Sequence, residues 1–150
     1  MTVSIRRATA TDAPALARLR WQWRAEERDE AGDRAGFLDF FTTWVIDHLA
    51  THIPYVAEVD GRLCGMAFLF LADRVPSPSR MDRRTGDIQS VYVVPDLRNR
   101  GVGAELITHI LTEARTRELE HVTVHSAQRA IPFYLRWGFS DDGRWFSWHP

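Results

Sequence analysis

The 150-residue chain carries 19 Lys+Arg against 20 Asp+Glu, a net charge of -1, with 45% hydrophobic and 26% charged residues. This size supports one domain with its own core, spanning residues 1–150. The near-neutral balance argues against nucleic acid as the main partner. The start, Met1 to Arg7, lacks the apolar run of a signal peptide, and no stretch reaches the length of a membrane helix. A single cysteine, Cys64, excludes an intramolecular disulfide and a Cys-pair zinc site. The expectation is a cytoplasmic protein with no membrane partner.

In chain order, Val3–Arg6 alternates and reads as an edge strand. Thr11 or Asp12 caps a helix with Pro14 in its first turn, running to about Arg28 with Leu16, Leu19 and Trp23 on one face. Asp29–Gly36 is polar, holds two glycines and reads as a loop. Phe37–His52 is a second, aromatic helix, stopped before Pro54. Tyr55–Val59 and Leu63–Leu71 flank Asp60-Gly61 and form a hairpin. Val75–Ser79 is a Pro/Ser loop, and Asp87–Val94 is a strand. Gly103 to about Glu118 is a third helix, with Leu106, Ile107, Ile110, Leu111 and Ala114 inward. Val122–Ser126 is a strand parallel to the previous one, because a strand–helix–strand run requires a right-handed crossover. Ala130–Trp137 is a short helix, and Arg144–Trp148 is a final strand. The sum is an α/β domain with a mixed sheet and helices on both faces.

The stretch Val91-Tyr92-Val93-Val94-Pro95-Asp96-Leu97-Arg98-Asn99-Arg100-Gly101-Val102-Gly103-Ala104 is the most informative. It hands a buried strand over to a helix through a turn with two arginines and two glycines. Free N–H groups at a helix start bind anions, and glycines let a ligand approach the backbone. Arg98 and Arg100 add positive charge. A P-loop is excluded because it needs a lysine and all 19 basic residues are arginine. A dinucleotide fingerprint is excluded because Gly101-x-Gly103 lacks the third glycine.

The pattern Arg98-x-x-Gly101-x-Gly103 resembles the phosphate loop of the GNAT superfamily of acyl-CoA N-acyltransferases. Ala130-Ile131-Pro132-Phe133-Tyr134-Leu135-Arg136-Trp137-Gly138-Phe139 resembles that family's A-x-x-F-Y-x-x-x-G-F segment. The two motifs stand in the family's order. The resemblance implies a central mixed sheet whose two middle strands splay apart to admit a thioester arm. It implies acetyl-CoA as cosubstrate and acetyl transfer to a primary amine of a small molecule, by direct transfer in a ternary complex. It assigns Val91, Tyr92 and Val93 to backbone contacts with the pantetheine arm. It assigns Asn99, Arg100, Gly101, Val102, Gly103 and Ala104, beside Arg98, to the pyrophosphate, and a strand bulge to the oxyanion. Tyr134 becomes the general acid for the leaving sulfur, since a phenol is protonated at neutral pH. An asparagine common in the family is replaced by Ala127, with the Ser126 hydroxyl as a substitute.

The base is open. Asp87 stands at the start of the strand where the family often has a carboxylate; it is equally a turn residue after Gly86, and a water chain would also serve. The acceptor side is expected from the first two helices, where Trp21, Trp23, Phe37, Phe40, Phe41 and Trp44 mix with Glu26, Glu27, Asp29 and Glu30. Acids beside aromatics suit a cationic amine; Arg83 and Arg84 suit a carboxylate instead, so no amine is named. His48-x-x-x-His52 has metal-pair spacing but no further ligand beside it, so no metal is expected. Cys64 reads as core, and His125-Ser126 is not a nucleophile elbow. Two other readings stand beside the acetyltransferase: a non-catalytic acyl-CoA-binding sensor domain, and an acyltransferase with a longer donor. The aromatic final strand offers an edge for pairing into a homodimer.

Overall fold

The computed structural model describes residues 2–27, 32–141 and 143–150. Five strands form one sheet in sequence order: β1 (Ser4–Arg7), β2 (His52–Val59), β3 (Arg62–Asp73), β4 (Arg84–Val93) and β5 (Val122–Val124). The first three pairings are antiparallel and β4–β5 is parallel. Helices α1 (Ala13–Glu26) and α2 (Arg34–Asp47) cover one face. Helices α3 (Val102–Thr116) and α4 (Ile131–Arg136) cover the other. The mixed sheet with helices on both faces is the architecture the sequence implied.

Two cores follow from strand alternation. Val56, Met66, Phe68 and Tyr92 point toward α1 and α2, where Leu16, Leu19 and Val45 meet them. Ile53, Leu69 and Ile88 point toward α3, against Leu106, Ile107 and Ile110. α3 is the most amphipathic helix, and its apolar residues repeat every three or four positions. At Gly86, a Cβ would come within 2.8 Å of Leu69 and 3.0 Å of Leu119, so glycine permits close seating there.

Three sequence expectations are corrected. Helix α2 begins at Arg34, because Asp33 caps it by accepting from the Gly36 amide at 3.0 Å; the loop expected over Asp29–Gly36 is therefore shorter, and residues 28–31 lie outside the described ones. Helix α2 ends at Asp47 rather than His52, since the His48 carbonyl takes the Thr51 and His52 amides in a turn into β2. Pro54 is a strand residue opposite Phe68, placed just past the end of β1, where a missing ladder donor matters least. Arg144–Trp148 forms no strand. Strand β5 pairs over only three residues and supplies no long ladder to extend. Phe146 and Trp148 are left exposed, and Trp145 rests on His121 at 4.8 Å. Dimerisation through an Arg144–Trp148 edge therefore loses its basis.

Candidate active site

The parallel pairing of β4 and β5 covers only Gly86–Ile88 against Val122–Val124, and beyond Ile88 the two strands part. The gap opens into a cleft of about 640 Å³ lined by Val91, Val93, Ser126, Ala127, Tyr134, Arg98, Asn99 and Gly101–Ala104, among others. On its other edge β4 is bulged. Met66 faces Tyr92 and Phe68 faces Gln89, so Ser90 and Val91 together oppose Ala67 alone. Ser90 takes a positive φ of 55°. The bulge lies where the two strands diverge, and it re-aims the backbone of Ser90 and Val91.

The loop beyond β4 turns through Asn99 (φ 61°) and Gly101 (φ 83°), both left-handed. Gly101 is the N-cap of α3, with no side chain capping the helix. The first-turn amides of Val102, Gly103 and Ala104 therefore lack partners inside the helix. Among the described residues, no atom beyond its chain neighbours lies within 4 Å of a Cβ built on Gly101, so the space beside the amides is open. This cradle of free donors at a positive helix end fits a pyrophosphate. Arg98 serves it less directly than its sequence position suggests. Its Nε donates to the Val93 carbonyl at 2.9 Å and its Nη2 to Glu26 at 2.6 Å. Arg100 is exposed and does not line the cleft, whereas Arg129 and Arg136, which the sequence reading passed over, do. The signal was there in principle: Arg136 lies inside the second motif, two residues after Tyr134, and Arg129 stands immediately before it.

Tyr134 is 8% exposed and packs edge-on to Phe133 and Phe139. Its hydroxyl has no hydrogen-bond partner among the described residues. No buried side-chain oxygen or nitrogen among them is left unpartnered, so the phenol oxygen must reach open space. Burial pushes its pKa up, which keeps the proton on at neutral pH. Ser126 lines the same cleft and donates to the Ala127 carbonyl at 2.7 Å, which leaves its oxygen able to accept. Tyr92 does not face the cleft. It is buried on the opposite face, stacked on Trp23 at 5.6 Å, and its hydroxyl donates to Glu26, so only its backbone is available to a ligand.

Asp87 stands outside the cleft. Its two carboxylate oxygens accept from Thr123 at 2.7 Å and Gln89 at 3.0 Å. The residues grouped as the acceptor side separate by role. Phe37, Phe40, Phe41 and Trp44 line a second cavity of about 260 Å³ with His52, Phe68, Gln89 and Ser90. Trp21 packs behind Phe37 at 5.6 Å, while Trp23 belongs to the first cleft. Glu26 is committed to Tyr92 and Arg98, Glu27 is exposed, and Asp29 and Glu30 lie outside the described residues. Arg83 is paired with Glu120 at 2.8 Å. His48 and His52 no longer share a helix; their rings meet edge to face at 5.8 Å. His48 Nδ1 bonds the Trp44 carbonyl, and the described residues hold no group of three or more ligand side chains. Cys64 is buried, its Sγ donating to the Ala57 carbonyl at 3.4 Å, as a core residue would.

A splayed mixed sheet, a bulged central strand and a glycine-turned helix start define a class, and sequence comparison agrees with it. Residues 14–139 match the Acetyltransferase (GNAT) family, and the chain belongs to it as a GNAT N-acetyltransferase. A glucosamine 6-phosphate N-acetyltransferase of Trypanosoma brucei brucei is 30% identical over 129 residues, covering 86% of this chain and 74% of the relative. A predicted acetyltransferase of Clostridium acetobutylicum, solved with acetyl-CoA, shares the fold with a TM-score of 0.81 at 21% identity, covering 99% of this chain and 96% of the other. A GCN5-related N-acetyltransferase of Ralstonia eutropha JMP134 superposes with a TM-score of 0.74 at 25% identity, covering 97% of each chain. The family's cosubstrate is acetyl-CoA, and the open amides at the start of α3 and the parted strands suit its two ends. Among the described residues no helix is long and apolar enough to cross a membrane.

Proposed function

We propose that this chain transfers the acetyl group of acetyl-CoA to the primary amine of a small molecule, directly, in a ternary complex. The observation that carries the reading is the unpartnered Tyr134 hydroxyl in the same cleft as the Ser90–Val91 bulge and the open α3 amides. The pyrophosphate rests on the amides of Asn99 to Ala104, and the pantetheine arm runs beside the backbone of Val91 to Val93. Amides freed by the bulge stabilise the oxyanion, where fixed donors are worth most. The ammonium first passes a proton through a water to the Asp87 carboxylate, which stands outside the cleft beside Gln89. The amine lone pair then forms the C–N bond, and the C–S pair leaves on sulfur. Tyr134 gives its proton to that sulfur and regains one shed by the new amide nitrogen. Ser126 supports the arm in place of the family's asparagine.

Replacing Tyr134 by phenylalanine tests this. Turnover is expected to fall about 100-fold or more, the usual worth of a positioned acid. Acetyl-CoA affinity, measured by calorimetry, is expected to stay within about twofold. Equal turnover of both proteins removes Tyr134 from the mechanism. The Ala127 departure favours a second reading, an acyl-CoA sensor without chemistry. That reading predicts acetyl-CoA binding with no thiol release from any amine.

A further inference from the structure

The second cavity meets the first at one residue. Ser90 lines both, so whatever fills the aromatic cavity abuts the point where the thioester is expected. Its walls come from α2 and the sheet. Phe37 contacts Phe41 at 5.4 Å, and Phe41 stands edge-on to Phe68 at 6.5 Å. Trp44 meets the His52 ring at 4.8 Å. Among the described residues that line it there is no carboxylate and no guanidinium. At about 260 Å³ it is below the range of pockets that take drug-sized ligands, and it suits a single ring system.

Its polar groups sit at the two ends. Near the bulge, Gln89 donates its Nε2 to Asp87, which leaves the amide oxygen free to accept from an amine. At the far end is His52, paired across β3 through Phe70 with Asp87. Strands lie about 4.8 Å apart and same-face neighbours about 6.7 Å, which sets His52 roughly 11–12 Å from Gln89. The His52 ring is stacked on Phe70 at 4.6 Å, and its Nδ1 pairs with the Thr51 hydroxyl at 3.0 Å. Nε2 has no protein partner among the described residues. The titratable group facing it is His48; from α2 it meets Trp44, from β3 Phe70, and Asp87 stands one strand beyond. Burial and His48 both lower the His52 pKa, so the ring is neutral at physiological pH.

We propose that the acceptor is an aryl-alkyl primary amine: its ring fills the aromatic cavity, its nitrogen lies at Ser90 and Gln89, and His52 hydrogen-bonds a polar substituent on the far side of the ring. This rests on the acetyl-transfer reading and names the substrate class of that site. The acid-rich wall read from the sequence is replaced by an uncharged one. A phosphorylated amino sugar finds no cation in this cavity.

The test uses the whole chain, with acetyl-CoA and three probes: 2-phenylethylamine, its 4-hydroxy derivative and glucosamine 6-phosphate. Thiol release gives kcat and KM, and calorimetry on the acetyl-CoA-bound protein gives affinity. The two ring amines are expected to be acetylated, with KM at least tenfold below that of the sugar. Phe37→Ala, at a half-exposed wall position, raises KM for both ring amines about tenfold and leaves acetyl-CoA affinity unchanged. His52→Phe removes the advantage of the hydroxylated ring, so that the KM values of the two ring amines converge to within about twofold, the worth of the lost hydrogen bond. Acetyl-CoA binding with preferred acetylation of the sugar phosphate overturns the proposal while sparing acetyl transfer. So does acetyl-CoA binding with no heat from either ring amine. Failure to bind acetyl-CoA at all instead strikes the reading beneath it.

Discussion

The two faces of the sheet do different work with different materials. On the α3 side the cofactor cradle is made of backbone, a bulge, a left-handed turn and the open first turn of a helix, with Tyr134 and Ser126 as the side chains beside it. On the α2 side the site is made of side chains: four aromatic residues of one helix, a phenylalanine of β3 and a histidine at the start of β2. The backbone half depends on local conformation, which a few consecutive residues specify. The side-chain half depends on which residues the fold brings together over distances of 50 positions. The first half suits a ligand common to a whole family, and the second suits a ligand particular to one member.

The contrast is sharpest at Gly101. A valine there has room but must adopt φ 83°, which costs about 1–3 kcal/mol for a β-branched residue. The expected result is a lower melting temperature and at least a tenfold loss of acetyl-CoA affinity, the worth of one or two lost amide bonds. Aryl-amine affinity for the free protein should not change; a parallel loss of both would mean that the halves are not separable.

A smaller effect is expected under the acceptor half. Asp12, before α1, accepts two bonds from Arg6 at 2.8 Å and one from the Thr9 amide at 2.8 Å. The Arg6 hydrogen bonds outweigh burial and hold its carboxyl at about 2. Its folded pKa lies below the unfolded value, so its stabilisation is complete above about pH 4 and lost as pH falls through 2. Asp12→Asn is expected to cost about 1 kcal/mol in urea unfolding at pH 7 and almost nothing near pH 2. A pH-independent cost would assign the effect to packing.

The smallest effect concerns the bridge between the halves. Glu26 of α1 accepts from Tyr92 of β4 and from Arg98 of the phosphate loop. Burial raises its pKa, but those two bonds outweigh it and the net direction is down. The pair with Arg98 is partly exposed, so Glu26→Gln is expected to cost under about 1 kcal/mol. Acetyl-CoA affinity should fall two- to threefold, through a loosened Arg98. An unchanged affinity would show that Arg98 does not need this tether.

The same division explains what could be read from the chain alone. Element order, the parallel crossover, the hairpin at Asp60-Gly61 and the Arg98–Gly103 turn are local signals, and each was legible. The sequence also pointed to Tyr134, because Gly138-Phe139 follows it at a fixed spacing. One helix limit and one strand were misread for physical reasons. Pro54 looked like a helix stop, yet it sits two residues into a strand, past the end of its neighbour. Arg144–Trp148 is aromatic like a strand, but only three residues of β5 are there to receive a ladder. The commitments of Arg98, Glu26 and Arg83 were invisible, because a charged side chain finds its partner only in three dimensions. The meeting of His52 with Phe41 and Gln89 was hidden likewise, since strand register decides it.

The most direct test of the account is thermal unfolding of the intact chain with acetyl-CoA, with ATP and NADH as controls. A ligand that binds only the folded state, at 100 times its Kd, adds about 2.7 kcal/mol. The account predicts a rise in melting temperature with acetyl-CoA alone. A chain that melts at the same temperature with and without every CoA thioester would contradict it, and would reduce the Arg98–Gly103 loop to a structural turn.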